Sequence, residues 1–251
     1  VYWETMWGGF GSINYPISKF RRLAFSTALS WSDKDIFVGA KRRKALLLTN
    51  AISLVHDNAL YSMNGPVAGW RANLMVGYTT DIRYSNVSYY TVSLDLRKYW
   101  RIMPGVTLAA RGLVRVNEGK EARLNILGGS WDLRGYRRWS IRGKKIWFTS
   151  LELRFPIMRA PSLYFPLLAP FGIVDLRGAL FSDLGHAWND GYNTIEPALR
   201  TGQTLGALGG GLRANLYGIF VLRYDLGYRH AGLFEVWDRS LFHRFWFGYN
   251  F

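Results

Sequence analysis

The sequence predicts an all-β fold, an antiparallel transmembrane β-barrel of which about eleven strands are visible, and three observations carry that expectation. Apolar and polar residues alternate with a period of two along most of the 251 residues, which is the pattern of strands with one apolar face. The apolar run Ala45-Leu46-Leu47-Leu48 soon meets Thr49 and Asn50, far short of the roughly 18 residues a membrane-spanning helix needs. Aromatic residues are abundant, with 11 Trp, 15 Tyr and 15 Phe, as suits a barrel whose rims sit at lipid headgroups.

Taken in order, the elements begin with weak alternation over residues 2–15, 20–33, 44–57 and 66–80. Val87 to Arg101 is clearer, with Tyr90, Val92, Leu94, Leu96 and Trp100 set against Ser93, Asp95 and Arg97. Val106 to Asn117 sets Val106, Leu108, Val114 and Val116 against Arg111 and Arg115. From Lys145 to Ile157, Trp147, Leu151, Leu153, Phe155 and Ile157 oppose Ser150, Glu152 and Arg154. From Phe171 to Trp188, Val174, Leu176, Leu180, Leu184 and Trp188 oppose Asp175, Arg177, Phe181 and Asp183. A weak segment at 204–216 precedes Gly218 to His230, where Phe220, Leu222, Tyr224, Leu226 and Tyr228 face away from Arg223, Asp225 and Arg229. The last segment is 241–251. These lengths match the ~9–11 residues that cross a bilayer at a tilt.

The connections are uneven. Met103-Pro104-Gly105 and Leu216-Tyr217-Gly218 are short, while 118–143 and 189–203 are long and polar. The basic run Lys41-Arg42-Arg43-Lys44 reads as a turn meeting lipid phosphates or lipopolysaccharide. Trp31, Trp70, Trp100, Trp147 and Trp188 bound the apolar face, and the opposite face carries recurrent Arg and Asp. A soluble sandwich would pack its apolar face on a second sheet. Aromatic girdles around a charged interior favour the membrane barrel instead.

Composition narrows the chemistry. With no cysteine, disulfides, thiolate catalysis and zinc–thiolate sites are excluded. His56, His186, His230 and His243 lie on separate strands without metal-ligand spacing, so no metal and no cofactor is expected. The last three share parity with the outward face of their strands. Gly209-Gly210-Gly211 is followed by neither Lys-Ser/Thr nor a helix, so it reads as a bend or close approach rather than a phosphate loop. The net charge of +15 suits anionic lipids or nucleic acid. Nucleic-acid readers combine arginines and aromatics on one accessible face; here the two segregate. Bacterial single-chain barrels usually have even strand numbers. An odd count therefore suggests that upstream strands are missing, and that 1–251 is the C-terminal part of one larger barrel domain.

Four motifs in order carry a family resemblance. They are Leu133-Arg134-Gly135-Tyr136 on a long loop after Gly128-Gly129, the strand Ser150-Leu151-Glu152-Leu153-Arg154-Phe155-Pro156, the segment Phe181-Ser182-Asp183-Leu184-Gly185 with Trp188 beyond it, and the aromatic end Phe245-Trp246-Phe247-Gly248-Tyr249-Asn250-Phe251. Together they resemble the BamA-like bacterial surface-antigen superfamily of outer-membrane β-barrels. Tyr15-Pro16-Ile17-Ser18-Lys19-Phe20-Arg21-Arg22 is similar to members that carry a soluble β-propeller. The resemblance implies periplasmic domains, absent from this chain, ahead of a sixteen-stranded barrel in the outer membrane of a Gram-negative type bacterium, acting in insertion, assembly or translocation of proteins. It implies as partners outer-membrane lipids and lipopolysaccharide, unfolded outer-membrane clients or a secreted partner, and periplasmic accessory proteins. It also implies an openable seam near the last strand. The glycines of 204–216 and Gly248 are compatible with a seam if they weaken local packing.

The candidate site follows. Parity places Glu152 and Asp183 on the polar faces of their strands, where an inward-folded Arg134 could donate bidentate hydrogen bonds. Gly135 would permit a tight turn, and Tyr136 could pack on the inner wall. The plainer alternative is a solvated arginine among Arg137, Arg138, Arg142, Lys144 and Lys145. Glu152 and Asp183 could also serve as a general acid and base. The arginines on the same inner faces and the lack of a substrate constellation favour a structural latch and no enzyme. Phe245, Phe247, Tyr249 and Phe251 look like the terminal targeting strand of outer-membrane barrels, with a chain-end carboxylate that favours recognition; the plainer reading is that they are girdle aromatics of a last strand, and the two uses are compatible. Two other functions stand beside these. One is a passive, anion-selective porin-like channel lined by Arg97, Arg111, Arg115, Arg177, Arg213 and Arg223; the other is a soluble basic β-protein binding nucleic acid.

Overall fold

A computed structural model of the chain describes residues 2–36, 41–62, 65–158, 163–164, 172–188, 204–216 and 220–248. Every regular element among them is a strand. In chain order these are β1 (Tyr2–Ser18), β2 (Arg21–Ile36), β3 (Lys41–Asp57), β4 (Leu60–Ser62), β5 (Gly65–Asp81), β6 (Ser88–Met103), β7 (Val106–Lys120), β8 (Asn125–Leu127), β9 (Ile141–Gly143), β10 (Lys145–Met158), β11 (Leu163–Tyr164), β12 (Gly172–Trp188), β13 (Leu205–Leu216), β14 (Phe220–Ala231) and β15 (Val236–Gly248).

Eleven long strands form one antiparallel sheet in the order β1-β2-β3-β5-β6-β7-β10-β12-β13-β14-β15. They correspond one for one to the eleven segments read from alternation. Each pairs with its neighbour in sequence, so short turns suffice on one side. The short β4 and β11 pair with β5 and β12, and β8 pairs with β9 apart from the main sheet. Strands β1 and β15 are the two edges among the described residues, and they do not close on each other.

The two faces differ as period-two alternation requires. On β12, Leu180 and Trp188 are exposed while Ala179, Phe181 and Asp183 are buried. On β6, Tyr90, Leu96 and Trp100 are exposed while Tyr89 and Tyr99 are buried. Along β14 and β15, Tyr224, Leu226, Tyr228, Leu241, Phe245 and Phe247 are all exposed. The greasy side therefore has no protein layer over it among the described residues. Leaving it in water would forfeit roughly 25 cal/mol for each Å² of apolar surface, so it requires an apolar solvent. The packed cluster lies on the other face: Leu113, Leu127, Leu133, Tyr136, Ile141, Ile146, Phe148, Leu205 and Ala231.

Three expectations change. Lys41-Arg42-Arg43-Lys44 is the start of β3 and not a turn, because β2 continues opposite it with Asp35 facing Arg42 and Asp33 facing Lys44. Unlike charges directly across a ladder stabilise pairing, and Arg42 grips Asp33 through Nε at 2.8 Å and Nη2 at 2.5 Å. Arg43 points inward to Glu4, at 3.2 Å. Secondly, the glycines of β13 do not loosen the sheet. A Cβ on Gly209 would lie 2.1 Å from the Leu226 carbonyl oxygen, and one on Gly211 2.3 Å from Asp225 Oδ1. These glycines let neighbouring groups approach closely. Finally, of the outward histidines only His243 is exposed. His186 is buried edge-on against Trp188, and His230 is buried between Phe234 and Trp237.

Candidate functional site

The β7–β10 connection folds back over the inner face. Its neck is the β8–β9 ladder, joined to the wall by Asn117 Nδ2 donating to the Arg123 carbonyl at 2.8 Å and Asn125 Nδ2 donating to the Lys144 carbonyl at 2.7 Å. Beyond the neck, Gly128 and Gly129 take φ of 101° and 116°, and Gly135 takes 86°. L-residues rarely adopt this region, and glycine does so without a steric penalty. The reversals turn Leu133 and Tyr136 into the apolar cluster against Leu113, Ile146 and Phe148 of the wall. Burial of these side chains holds the loop inside, while Arg137, Arg138 and Trp139 remain exposed.

Arg134 lies between those two anchors, 4% exposed. Its Nε and Nη2 donate to Asp183 Oδ2 and Oδ1 at 2.5 and 2.6 Å, and its Nη1 donates to Glu152 Oε2 at 2.5 Å. Nη2 also reaches Ser150 Oγ at 3.1 Å, and the backbone N–H donates to Asp183 Oδ2 at 3.3 Å. The guanidinium carbon sits 3.7 Å from the Phe181 ring centroid, a cation–π contact made in a desolvated place. Burial works against the charge, but Asp183 and Glu152 together outweigh it and hold the guanidinium above its ordinary pKa. Asp183 is fully buried and also accepts from Ser150 Oγ at 2.6 Å. The candidate residues Arg134, Glu152 and Asp183 thus come together in one contact set.

Around it extends a chain of alternating charges. Glu152 accepts from Arg154 Nε at 2.8 Å and Arg213 Nη2 at 3.1 Å. Arg213 stands 3.4 Å from Asp225, which accepts from Arg223 Nε at 2.5 Å. A second set joins Arg97 and Arg111 to Asp95, both at 2.9 Å. On the loop, Asp132 lies 3.5 Å from Arg111; burial raises its carboxyl pKa, with Arg111 and Arg115 only partly opposing it. Between loop and wall is a cavity of about 410 Å³ bordered by Arg97, Arg111, Arg154, Arg223, Trp131 and Trp246.

The other loop residues contact the last three long strands. Tyr136 is buried, and its hydroxyl donates to the carbonyls of Gly206 at 3.3 Å and His230 at 3.2 Å. The absent side chain of Gly135 is where Phe242 packs: a Cβ there would lie 2.7 Å from that ring. Trp131 meets Trp246 edge-on with centroids 4.6 Å apart. Of the terminal aromatics, Phe245 and Phe247 are exposed on the outward face; Tyr249 and Phe251 lie outside the described residues, as does the 189–203 connection. No cluster of three or more metal-ligating side chains occurs among the described residues.

Ser150 and Phe181 stood in the motifs but were not assigned to the latch, and Asp225 and Phe242 were not singled out from sequence. Ser150, Phe181 and Asp225 carried the right parity, but parity gives a face and not a height. Phe242 showed no polar signal at all.

The Omp85 superfamily domain matches residues 41–248. Among solved structures, BamA from Haemophilus ducreyi lacking POTRA domains 1–3 is similar with a TM-score of 0.70 at 15% identity, covering 98% of this chain and 55% of that one. CdiB from Acinetobacter baumannii is similar with a TM-score of 0.59 at 15% identity, covering 99% of this chain and 42% of that one. The chain therefore spans about half the length of the structures it matches. No curated protein sequence matches it.

Proposed function

The chain belongs to the Omp85 superfamily, and from that premise we propose that it forms barrel wall in the bacterial outer membrane, where it inserts or translocates other proteins while its inner loop is latched by Arg134. The observation that carries this is the buried guanidinium bridging Asp183 on β12 and Glu152 on β10. A latch of this kind fixes a bulky loop against the inner wall without covalent chemistry, alongside the burial of Leu133 and Tyr136.

A passive anion pore needs free wall charges along an open path. Here five of the six arginines named for such a pore are paired, Arg97 and Arg111 with Asp95, Arg177 with Asp175, Arg213 with Glu152 and Arg223 with Asp225, while Arg115 makes no ion pair among the described residues. The loop also occupies the space such a path would use. The role is mechanical rather than enzymatic, since Glu152 and Asp183 spend their oxygens on guanidinium donors and leave none poised for a substrate. Clients are unfolded outer-membrane strands or a secreted partner, an edge strand of the sheet offering its free backbone groups by β-augmentation. Outer-membrane lipids, lipopolysaccharide and periplasmic accessory proteins complete the partners.

The test is reconstitution of the whole protein in liposomes, with two readouts. Wild type should give a plugged, flickering conductance, and should speed the folding of an unfolded outer-membrane barrel or the passage of a secreted substrate. A steady anion-selective current with no effect on either client class would overturn the proposal.

A further inference from the structure

One corner of the outward face carries a cationic seat built by backbone geometry. Residues 82–87, between β5 and β6, are organised by a single buried carboxylate. Asp81 Oδ1 accepts from the backbone N–H of Leu46 at 3.0 Å and of Arg83 and Tyr84 at 3.1 Å, and Oδ2 accepts from that of Asn86 at 3.0 Å. Asn86 Nδ2 then donates to the Lys44 carbonyl at 3.0 Å, tying the turn to β3. So held, the Arg83 guanidinium lies 5.7 Å from the Trp31 ring centroid and 5.4 Å from that of Tyr84, and the two rings meet edge-on at 6.0 Å.

Register fixes what surrounds this arginine. Trp31 stands opposite Leu46, and Lys44 opposite Asp33, on the outward side of β2 and β3. Leu29 and Ile82 are exposed on the same side, and Leu48 lies opposite Leu29. The corner's carboxylates are already engaged, because Arg42 holds Asp33 and lies 3.6 Å from Asp35. Arg83 and Lys44 make no ion pair among the described residues. A cation–π contact uses no hydrogen-bond donor, so the Arg83 N–H groups stay available, and they match phosphate oxygens. A nearby ammonium adds a second point charge. Trp and Tyr side chains mark the headgroup level of a bilayer; Leu46 and Ile82 stand level with Trp31, and Leu29 and Leu48 continue below as an apolar wall.

We propose that Arg83, Lys44, Trp31 and Tyr84 form a binding site for an anionic lipid, its phosphate on the two cations and its acyl chains along Leu29, Leu46, Leu48 and Ile82. The turn is pre-organised by Asp81, so little ordering cost falls on binding. The end concerned is the one with the longer connections, which in outer-membrane barrels faces outward from the cell. The site rests on the membrane reading of the outward face given above, but not on the Arg134 latch.

The test uses the whole protein in nanodiscs of phosphatidylcholine containing a minor share of phosphatidylglycerol, with retained lipids read by native mass spectrometry after transfer to detergent. Wild type should retain phosphatidylglycerol above its share. Arg83→Gln and Lys44→Gln should each lower that enrichment roughly fivefold, from about 1 kcal/mol per basic residue at a membrane surface. Arg83→Lys should fall between, keeping the charge but losing the fork of N–H donors that matches phosphate. Undiminished enrichment in the double variant would overturn the site, as would displacement of the lipid by free glycerol phosphate at equal concentration, since the apolar wall would then contribute nothing. Wild type that inserts without enriching the lipid overturns the site alone. Wild type that stays soluble without lipid overturns the membrane barrel as well.

Discussion

Replacing Arg134 by Ala should weaken the folded barrel by an amount that separates local pairing from overall charge balance. The cluster holds Arg134, Arg154, Arg213 and Arg223 against Glu152, Asp183 and Asp225, four positive groups to three negative. Removing Arg134 brings the count to three and three, so charge counting expects no loss. Local geometry expects the opposite. Glu152 keeps Arg154 and Arg213, but fully buried Asp183 is left with Ser150 Oγ at 2.6 Å and one long backbone contact at 3.3 Å. Stranding one member of a buried pair costs about 3–5 kcal/mol. For a chain of this length, each kcal/mol moves a melting midpoint by about 2–4 °C, giving a fall of roughly 6–20 °C. The assay is gel mobility after heating to graded temperatures, since a folded barrel and its unfolded chain migrate differently. Arg134→Lys should lie between, because an ammonium keeps the charge but cannot fork across Asp183. A midpoint within about 2 °C of wild type for Arg134→Ala would refute local pairing as the source of the latch.

Three further outcomes follow from the loop. Gly135→Ala forces an L-residue to φ of 86° and puts a methyl 2.7 Å from the Phe242 ring. It should cost about 1–2 kcal/mol from backbone strain alone and more from the clash, so Phe242→Leu should rescue part of the loss in the same heating assay. Trp131→Ala should speed hydrogen exchange in β15, and Trp246→Ala should do the same for the loop, because coupling is reciprocal. A double-mutant cycle should give a coupling of about 0.5–1.5 kcal/mol for this edge-on pair; additive effects would mean the rings do not communicate. Asp132→Asn should raise the heating midpoint at neutral pH. Burial raises the folded-state pKa of this carboxyl, so its charged form opposes folding above that pKa and the penalty is relieved as pH falls through it. A lower midpoint for the Asn variant would show that the Arg111 contact outweighs burial.

What the amino-acid order determined by itself is the location and facing of the strands. Tyr224, Leu226 and Tyr228 had to lie opposite Arg223, Asp225 and Arg229, because successive side chains in a strand point to opposite sides. The same rule put Glu152 and Asp183 inward, and Gly135 marked where the loop could turn tightly. Height along the sheet was not legible, because a period of two is unchanged by sliding a strand two residues. Register depends on turns and bulges, such as those between Pro16 and Ser18, Pro156 and Met158, and Tyr228 and His230.

Only the tertiary structure therefore decided that Ser150 faces Asp183 across the β10–β12 ladder, that Arg213 reaches both Glu152 and Asp225, and that Phe242 fills the space above Gly135. It also turned Lys41-Arg42-Arg43-Lys44 from a turn into a strand, since only the pairing partner shows that Asp33 and Asp35 continue opposite it. The physical reason is common to all of these. Local pattern fixes which side of the sheet a residue faces, whereas its partners are set by contacts between segments far apart in the chain, with no short-range signal to announce them.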